Sequence, residues 1–183
     1  MQAAAQWVAQ RCTASDQSLR LLIVATGFLH GDAGQPERSF INLDAAYLQQ
    51  VFAINTLGPA LVMKHFLPLL PKQGRCVAGF ISAKVGSIGD NRLGGWYSYR
   101  ASKAALNMLL KTAAIEVART HPQAVLAALH PGTVDSALSR PFGGERIGRP
   151  APDAAADLLS VLDGLPAEDS GSFHSYRGER LPW

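Results

Sequence analysis

Two side chains with complementary acid–base chemistry, Tyr99 and Lys103, stand four residues apart. On a helix this spacing places both side chains on one face. A phenol can exchange a proton with a carbonyl or alcohol oxygen, although its ordinary pKa is about 10, and a nearby ammonium group lowers that pKa. The pair therefore predicts proton transfer at a carbonyl or alcohol. Surface pairs with this spacing also occur by chance, so Tyr97, which has Ala101 four residues on, serves as a comparison.

The segments around this pair alternate between predicted strands and helices. Continuous apolar runs, typical of strands buried on both faces of a parallel sheet, predict strands over 21–25, 75–81 and 125–129, and a last short strand is predicted over 171–176. Apolar spacing and turn residues predict helices over 2–11, 45–70, 97–120 and 153–162. The second of these helices contains Gly58-Pro59, where we expect an interruption.

This alternation predicts the α/β class with a parallel sheet, as one domain over residues 1–183. Loops rich in glycine, proline or polar residues are predicted over 31–37, 82–95 and 133–151. Ligands of such sheets bind outside the carboxyl ends of the strands. The loops that follow residues 25, 81 and 130 leave from those ends, so we expect the functional site there.

Composition excludes several classes of function. Hydrophobic residues make up 48% of the chain and charged residues 17%, which is typical of a globular protein. The net charge is +3 and there is no run of five basic residues, which argues against nucleic-acid or membrane-surface binding. Cys12 and Cys76 lack metal-ligand spacing and are expected to be reduced, although a disulfide stays open. The first residues resemble neither a signal peptide nor an anchor, so we expect a cytoplasmic protein.

The run Gly94-Gly95-Trp96-Tyr97-Ser98-Tyr99-Arg100-Ala101-Ser102-Lys103-Ala104-Ala105-Leu106 resembles the catalytic helix of the short-chain dehydrogenase/reductase family. Three further segments resemble family motifs and follow in the family's order, at 55–59 (Asn-Thr-Leu-Gly-Pro), 86–89 (Gly-Ser-Ile-Gly) and 130–134 (His-Pro-Gly-Thr-Val). The Gly-Ser-Ile and Gly-Gly-Trp-Tyr stretches, and the ending Leu181-Pro182-Trp183, are similar to the C-factor and sniffer-type carbonyl reductase branch.

The resemblance implies a role for each matching residue. Tyr99 would be the general acid for reduction or the base for oxidation, and Lys103 would hold the nicotinamide ribose and lower the pKa of Tyr99. Asn55 would help to hold a water that relays protons to Lys103; the alternative is that it caps a break in its helix. The nicotinamide pocket would be shaped by Pro131, Gly132 and Thr133, which otherwise form a plain turn after a strand.

One position departs from the family pattern. The family usually has a serine that donates a hydrogen bond to the substrate carbonyl, as the second residue of a Ser-Ser pair, but here the pair reads Ser82-Ala83. We expect Ser82, or alternatively Ser87 from the same loop, to supply the hydroxyl group. The other alternative is that both serines only cap the turn.

The resemblance also implies a Rossmann-like, doubly wound parallel sheet and a cofactor, NADP or NAD. The family's glycine-rich loop, which follows a strand and lets a helix N-terminus approach the pyrophosphate, is not found in these 183 residues. We therefore expect the N-terminal strands of the family to be missing and the edge of the 21–25 strand to be exposed. The residues that separate NAD from NADP would lie in the same missing part.

The sequence thus predicts an NAD(P)-dependent oxidoreductase that reduces a small-molecule carbonyl or oxidises an alcohol. The resemblance further implies a homodimer or homotetramer, because the two long helices form dimer interfaces in the family. The alternative is a truncated, non-catalytic relative that acts as a binding or oligomerisation partner. A hydrolase is disfavoured because the chain contains no Gly-x-Ser-x-Gly motif.

Overall fold

A computed structural model of the chain describes residues 1–32 and 34–183, so one residue of the loop expected over 31–37 lies outside the described residues. Four strands form one parallel sheet in the order β1-β2-β3-β4. They are β1 (Leu21–Val24), β2 (Cys76–Ile81), β3 (Ala124–His130) and β4 (Ser172–Ser175). The predicted α/β class and parallel sheet are confirmed.

The helices are α1 (Gln2–Ala14), α2 (Ala45–Phe52), α3 (Gly58–Phe66), α4 (Tyr97–Ala118), α5 (Gly144–Ile147) and α6 (Ala151–Gly164). Short 3₁₀ turns occupy Phe40–Asn42, Leu67–Leu69, Lys84–Gly86, Arg140–Phe142 and Ala167–Asp169. The interruption expected near Gly58-Pro59 is a π-helical segment, Ala53–Leu57, that joins α2 to α3. Among the described helices, none is long and apolar enough to cross a membrane.

The core lies on both faces of the sheet. Alternate residues of β2 and β3, including Phe80 and Leu126, pack against α3 and α4 on one face. The residues between them, including Val125 and Leu129, pack against α6 on the other face. Helix α4 packs against β3, and Tyr99 and Lys103 in its first two turns line the cavity at the carboxyl ends of the strands.

The edge strand β1 differs from the prediction of a strand buried on both faces. Only Val24 is fully buried, whereas Leu21 is 49% and Ile23 is 41% exposed. The reason is that β1 pairs with β2 alone and leaves its other edge unpaired among the described residues. The expected exposure of this edge is thereby confirmed. In contrast, β3 pairs on both sides and is buried from Ala124 to Leu129.

Candidate functional site

The carboxyl ends of β1, β2 and β3 open into a cavity of about 740 Å³. Its wall combines the loops after these strands with the start of α4 and part of α6. The polar residues in the wall are Thr26, Ser82, Lys84, Tyr99, Lys103, His130, Thr133, Ser136 and Ser139. A second cavity, of about 540 Å³, lies at the amino end of β1 and β2 and holds none of the predicted site residues.

Tyr99 and Lys103 lie side by side in the cavity wall, as their spacing predicts. The Lys103 Nζ atom is 5.8 Å from the centroid of the Tyr99 ring and donates a hydrogen bond of 3.0 Å to the Ile81 carbonyl. Only 7% of Tyr99 and 2% of Lys103 are exposed. The comparison residue Tyr97 is exposed and does not line the cavity. The two tyrosines of this turn are therefore structurally distinct.

Burial sets the protonation of the pair. It raises the pKa of Tyr99 to about 12 and lowers the pKa of Lys103 to about 8. In both residues the charged form is disfavoured because it has lost hydration. The direction for Tyr99 is opposite to the one expected from a cationic neighbour. The cause of the rise is desolvation of the phenolate by burial, and the Lys103 ammonium group, which lies over the ring and donates its hydrogen bond to Ile81, does not reverse it.

Asn55 lies in the π-helical segment and is fully buried. Its side-chain oxygen accepts a hydrogen bond of 2.7 Å from the Phe28 amide, and its Nδ2 donates to the Phe28 carbonyl at 2.8 Å and to Ser102 Oγ at 3.1 Å. Asn55 therefore ties the loop after β1 to α4, one residue before Lys103. Both amide hydrogens are used, and one lone pair of the oxygen remains.

The two candidate serines differ in environment. Ser82 lines the cavity beside Ala83, and its hydroxyl donates a hydrogen bond of 2.7 Å to Asn107 Oδ1. Ser87 is also buried, but it does not line the cavity, and its hydroxyl accepts a hydrogen bond of 3.1 Å from the Asp90 amide. The geometry of Ser87 is that of a turn cap, so only Ser82 shares a cavity with Tyr99.

Two buried polar atoms near Ser82 have no hydrogen-bond partner among the described residues, namely Asn107 Nδ2 and His130 Nδ1. His130 follows Leu129, the partner of Ile81 in the sheet, so His130 and Ser82 are neighbours at the ends of their strands. Burial, aided by the charge of Lys84, lowers the pKa of His130 to about 4, so its imidazole is neutral near pH 7. Unpartnered buried polar groups are costly and often mark functional sites.

The turn after β3 brings Pro131, Gly132 and Thr133 into the cavity wall. Gly132 has φ +73°, and a Cβ atom on it would lie 2.9 Å from the Tyr176 ring, so both backbone and space favour glycine here. Thr133 is exposed, and its backbone carbonyl accepts a hydrogen bond of 2.9 Å from the Arg149 amide. The three predicted residues therefore lie together in the wall of the cavity that Tyr99 also lines.

Glu37 was not recognised in the sequence, yet it holds the start of the helix that carries Tyr99. It is 4% exposed, and its carboxylate accepts hydrogen bonds from the Ser98 hydroxyl group and, at 3.1 Å, from the Ser98 amide. An acid at a helix N-terminus is stabilised by the free amides and the dipole. Because 61 residues separate Glu37 from Ser98, no local sequence pattern could have indicated the contact.

A further contact that the sequence did not indicate joins the loops above the cavity. The His30 Nε2 atom lies 3.2 Å from the Ala137 carbonyl and 3.1 Å from the Leu138 carbonyl. The His30 ring packs against Phe142 in an edge-on arrangement, with centroids 5.6 Å apart. These contacts connect the loop after β1 to the loop after β3, of which Ala137 and Leu138 line the cavity.

The nicotinamide end of a dinucleotide fits the residues of this cavity. Lys103 uses one hydrogen bond, to Ile81, so donors of its ammonium group remain for ribose hydroxyls. The backbone of Gly27 lies close to the lysine, since a Cβ atom built on Gly27 would be 3.9 Å from Lys103 Nζ. The Thr133 hydroxyl is exposed in the same wall and could contact a carboxamide. Tyr99, Lys103, Pro131, Gly132 and Thr133 are thus the residues that could hold this group.

Comparison with known proteins agrees with this geometry. The model of the short chain dehydrogenase family matches residues 1–146. The C-signal of Myxococcus xanthus is 37% identical over 143 residues, which cover 78% of this chain and 82% of that protein. The 1-hydroxy-2-glutathionyl-2-methyl-3-butene dehydrogenase of Rhodococcus sp. (strain AD45) is 37% identical over 142 residues, 78% of this chain but 61% of that protein. The chain thus spans less than two thirds of the Rhodococcus enzyme.

Solved structures show the same relationship. The carbonyl reductase Sniffer of D. melanogaster superposes with a TM-score of 0.83 at 27% identity, over 99% of this chain and 73% of that one. The NADPH-bound carbonyl reductase from chicken fatty liver superposes with a TM-score of 0.82 at 30% identity, over 100% of this chain and 72% of that one. From the family match, these relatives and the Rossmann-like fold, we conclude that the chain belongs to the short-chain dehydrogenase family of NAD(P)-dependent oxidoreductases.

Proposed function

We propose that the protein is a carbonyl reductase, or in reverse an alcohol dehydrogenase, in which Tyr99 exchanges the proton. The observation that carries the proposal is the burial of Tyr99 and Lys103 side by side in the wall of the carboxyl-edge cavity. Buried titratable groups with strongly shifted pKa values concentrate at functional sites. Because the chain belongs to a family of oxidoreductases, proton transfer during carbonyl reduction or alcohol oxidation is the reaction that we assign to this pair.

A bound dinucleotide would supply or accept the hydride, and the residues of the chain would manage the proton. With its pKa at about 12, Tyr99 holds its phenolic proton near neutral pH, which is the form needed to protonate a carbonyl oxygen during reduction. The phenolate that remains is then stabilised by the adjacent Lys103 ammonium group. In the oxidative direction the same phenolate accepts the proton of the alcohol.

Two further residues support this transfer. Asn55 fixes the loop after β1 against α4, and the free lone pair of its oxygen can accept a hydrogen bond from a water that passes protons to Lys103. Pro131, Gly132 and Thr133 line the same cavity as Tyr99, where they would orient the nicotinamide. These roles follow the family resemblance and the contacts of each residue.

Ser82 is the residue that we assign to hold the substrate carbonyl oxygen. The Ser82 hydroxyl donates its hydrogen to Asn107 Oδ1, while Asn107 Nδ2 has no partner among the described residues. The two ends of an amide group differ little in shape, so a half-turn of the Asn107 amide exchanges them. Asn107 would then donate to Ser82 Oγ and free the Ser82 hydroxyl to donate into the cavity, which compensates for the alanine at position 83.

The assignment of Tyr99 is tested by Tyr99→Phe, with Tyr97→Phe as the matched control. We expect Tyr99→Phe to reduce kcat for carbonyl reduction by about 100- to 10,000-fold, with little change in NADPH affinity, because the ring is kept and the proton is lost. Tyr97→Phe should retain activity. NADPH is the first dinucleotide to test, since the chicken carbonyl reductase structure contains it.

If the Tyr97 variant is inactive and the Tyr99 variant is not, the catalytic residue has been misassigned. If neither these 183 residues nor a version extended to include the family's glycine-rich loop reduces a carbonyl compound with NADPH or NADH, the proposal is wrong and the non-catalytic alternative is favoured.

Ser82→Ala and Ser87→Ala distinguish the two serines. We expect Ser82→Ala to lower kcat/KM by about 100- to 1000-fold, the usual effect of removing a hydrogen-bond donor from a reacting oxygen. Ser87→Ala should change kcat/KM little and lower the free energy of unfolding by about 1 kcal/mol, since a turn cap is lost. Equal rates for both variants, together with a large gain for Ala83→Ser, would contradict the role of Ser82.

The partner that we infer, besides a small-molecule substrate, is a second copy of this chain. Large apolar side chains are exposed on α3 and α4, including Leu61, Met108 and Ile115. These are the helices through which the family resemblance implies dimers or tetramers. Light scattering of the purified protein should give the mass of a homodimer or homotetramer, and a monomer would contradict the inference.

A further inference from the structure

Trp96, the residue before α4, has a backbone conformation that L-amino acids rarely adopt. Its φ is +52° and its ψ is +42°, and Asp16 is the one other non-glycine residue with positive φ in the described chain. In this left-handed region the Cβ atom crowds the backbone, so a bulky residue is strained there. Such strain persists where the surroundings enforce it, and it is common at functional sites.

The surroundings of Trp96 do enforce it. Trp96 follows two glycines that also have positive φ, +63° at Gly94 and +64° at Gly95. The Arg100 guanidinium group donates to the carbonyls of Gly94, at 3.0 Å, and Gly95, at 2.9 Å, and to that of Val85 at 3.1 Å. The Trp96 amide itself donates to the Glu37 carbonyl at 2.5 Å. The turn is therefore held at both ends.

The effect of this conformation is to place the indole ring in the wall of the carboxyl-edge cavity. The ring packs edge-on against Tyr99, with centroids 6.2 Å apart, and against Phe142, with centroids 5.0 Å apart. A residue that only ended the turn would be glycine at lower conformational cost, as its two predecessors are. The position instead holds the largest side chain, in contact with the ring of the proposed acid.

We propose that Trp96 is a specificity-determining residue whose indole, backed by Phe142, packs against a planar apolar substituent on the carbonyl carbon of the substrate. The inference rests on the proposed reduction of carbonyl compounds. An edge or face of an aromatic ring adds attraction for a second flat ring beyond simple burial. The apolar methyl group of Ala83 in the same wall is compatible with such a substituent.

The test compares two diones that differ only in the substituent, 1-phenylpropane-1,2-dione and butane-2,3-dione. We expect the unmodified protein to have the higher kcat/KM for the phenyl compound. Trp96→Gly should lower kcat/KM for the phenyl compound by about 10- to 100-fold, in the range of a lost apolar pocket contact, and change that for butane-2,3-dione less than about threefold. Trp96→Phe, which keeps a ring, should restore most of the preference.

Stability separates this role from a packing role. Because glycine relieves the strained backbone, the Tm of Trp96→Gly should stay within about 3 °C of the unmodified protein. A fall of about 10 °C or more, with both diones affected equally, would show that Trp96 only packs the turn and would overturn the inference.

A binding measurement makes the inference independent of turnover. In a Trp7→Phe/Trp183→Phe background Trp96 is the sole tryptophan, and we expect saturable quenching of its fluorescence by the phenyl dione and weaker quenching by butane-2,3-dione. Turnover of both diones without a preference for the phenyl compound would overturn the role of Trp96 but not the proposed carbonyl reduction. Equal and non-saturable quenching by the two diones would also overturn the role of Trp96. Absence of turnover with saturable, phenyl-selective quenching would instead refute the proposed function while supporting the pocket.

Discussion

The two halves of α4 show how one helix face serves two purposes. In the first half the buried face is mainly polar, and Ser98, Tyr99, Ser102, Lys103 and Asn107 share it with one large apolar residue, Leu106. In the second half the same face is apolar, and Leu110 and Ala114 pack into the core between the helix and the sheet. Helical spacing is similar in both halves, so the halves differ in the polarity of the buried side chains and in what those side chains contact.

That difference separates stability from function. The apolar half needs no specific partners, because burial of its side chains is favourable in itself. Each polar group of the first half needs its own partner, such as Ile81 for Lys103 or Glu37 for Ser98. A charged or polar side chain without such a partner would destabilise the fold. The polar half is therefore retained at a cost in stability, which is expected of an active site.

The largest expected effect on stability comes from breaking the apolar half. Leu110 is fully buried, whereas the adjacent Leu109 is 37% exposed. Leu110→Ala should lower the free energy of unfolding by about 2–5 kcal/mol, because it removes apolar contacts and leaves a cavity. Leu109→Ala should cost about 1 kcal/mol or less. Chemical denaturation of both variants measures the difference, and equal losses would contradict the burial pattern of α4.

The reverse effect is expected in the polar half. Since burial lowers the pKa of Lys103 from 10.5 to about 8, the charged form destabilises the folded state at neutral pH. Lys103→Met should therefore raise the free energy of unfolding by about 2–3 kcal/mol at pH 7 while abolishing activity. Lys64→Met, which changes an exposed lysine of α3, should have an effect within about 0.5 kcal/mol.

The pH dependence of stability tests whether the charged form of Lys103 destabilises the folded protein. Between pH 8 and 10.5 the unfolded chain keeps a proton on Lys103 that the folded chain has lost, so stability rises with pH. We expect the rise to be about 2 kcal/mol between pH 7 and 9.5 in the unmodified protein. In Lys103→Met it should be absent. A measurement below pH 10 is needed because the pKa values of Tyr99 and Tyr47, both raised to about 12, make stability fall with pH above 10. The raised pKa of the Cys76 thiol makes stability fall from about pH 9 in both proteins, so the difference between them measures Lys103.

A smaller effect is expected where the polar half begins. Glu37→Gln keeps the shape of the side chain but removes one acceptor and the charge, so the Ser98 contacts are weakened. We expect a loss of about 1–2 kcal/mol in stability and faster amide hydrogen exchange in the first turn of α4. Glu116→Gln, at an exposed position in the other half, is the control. Unchanged exchange at Ser98 and Tyr99 would contradict the role of Glu37.

Local patterns predicted most of the elements well. The apolar runs and the turn residues located all four strands and the four longer helical segments, and the Tyr99–Lys103 spacing correctly placed both side chains on one face. The π-helical segment was visible only as an interruption near Gly58, because glycine and proline mark a break without stating its geometry. Both cysteines are free, as expected.

The remaining errors come from contacts between distant segments. The exposure of β1 follows from its position at the edge of the sheet, with one neighbouring strand, and an apolar run does not indicate how many strands will pair with it. The sequence favours Ser82 over Ser87 only because Ser82 adjoins position 83. In the structure the Ser82 hydroxyl donates to Asn107 at the cavity, whereas the Ser87 hydroxyl caps the Asp90 turn.

By itself, then, the sequence determined which residues could carry proton chemistry and which elements would hold them, because helix and strand periodicity and turn residues act over a few positions. Only the tertiary structure decided the environment of those residues. Burial, which raises the pKa of Tyr99 and lowers that of Lys103, and the clamp of Glu37 on Ser98 arise from segments far apart in the chain. Desolvation and charge act through space, so side-chain identity alone does not fix their sign.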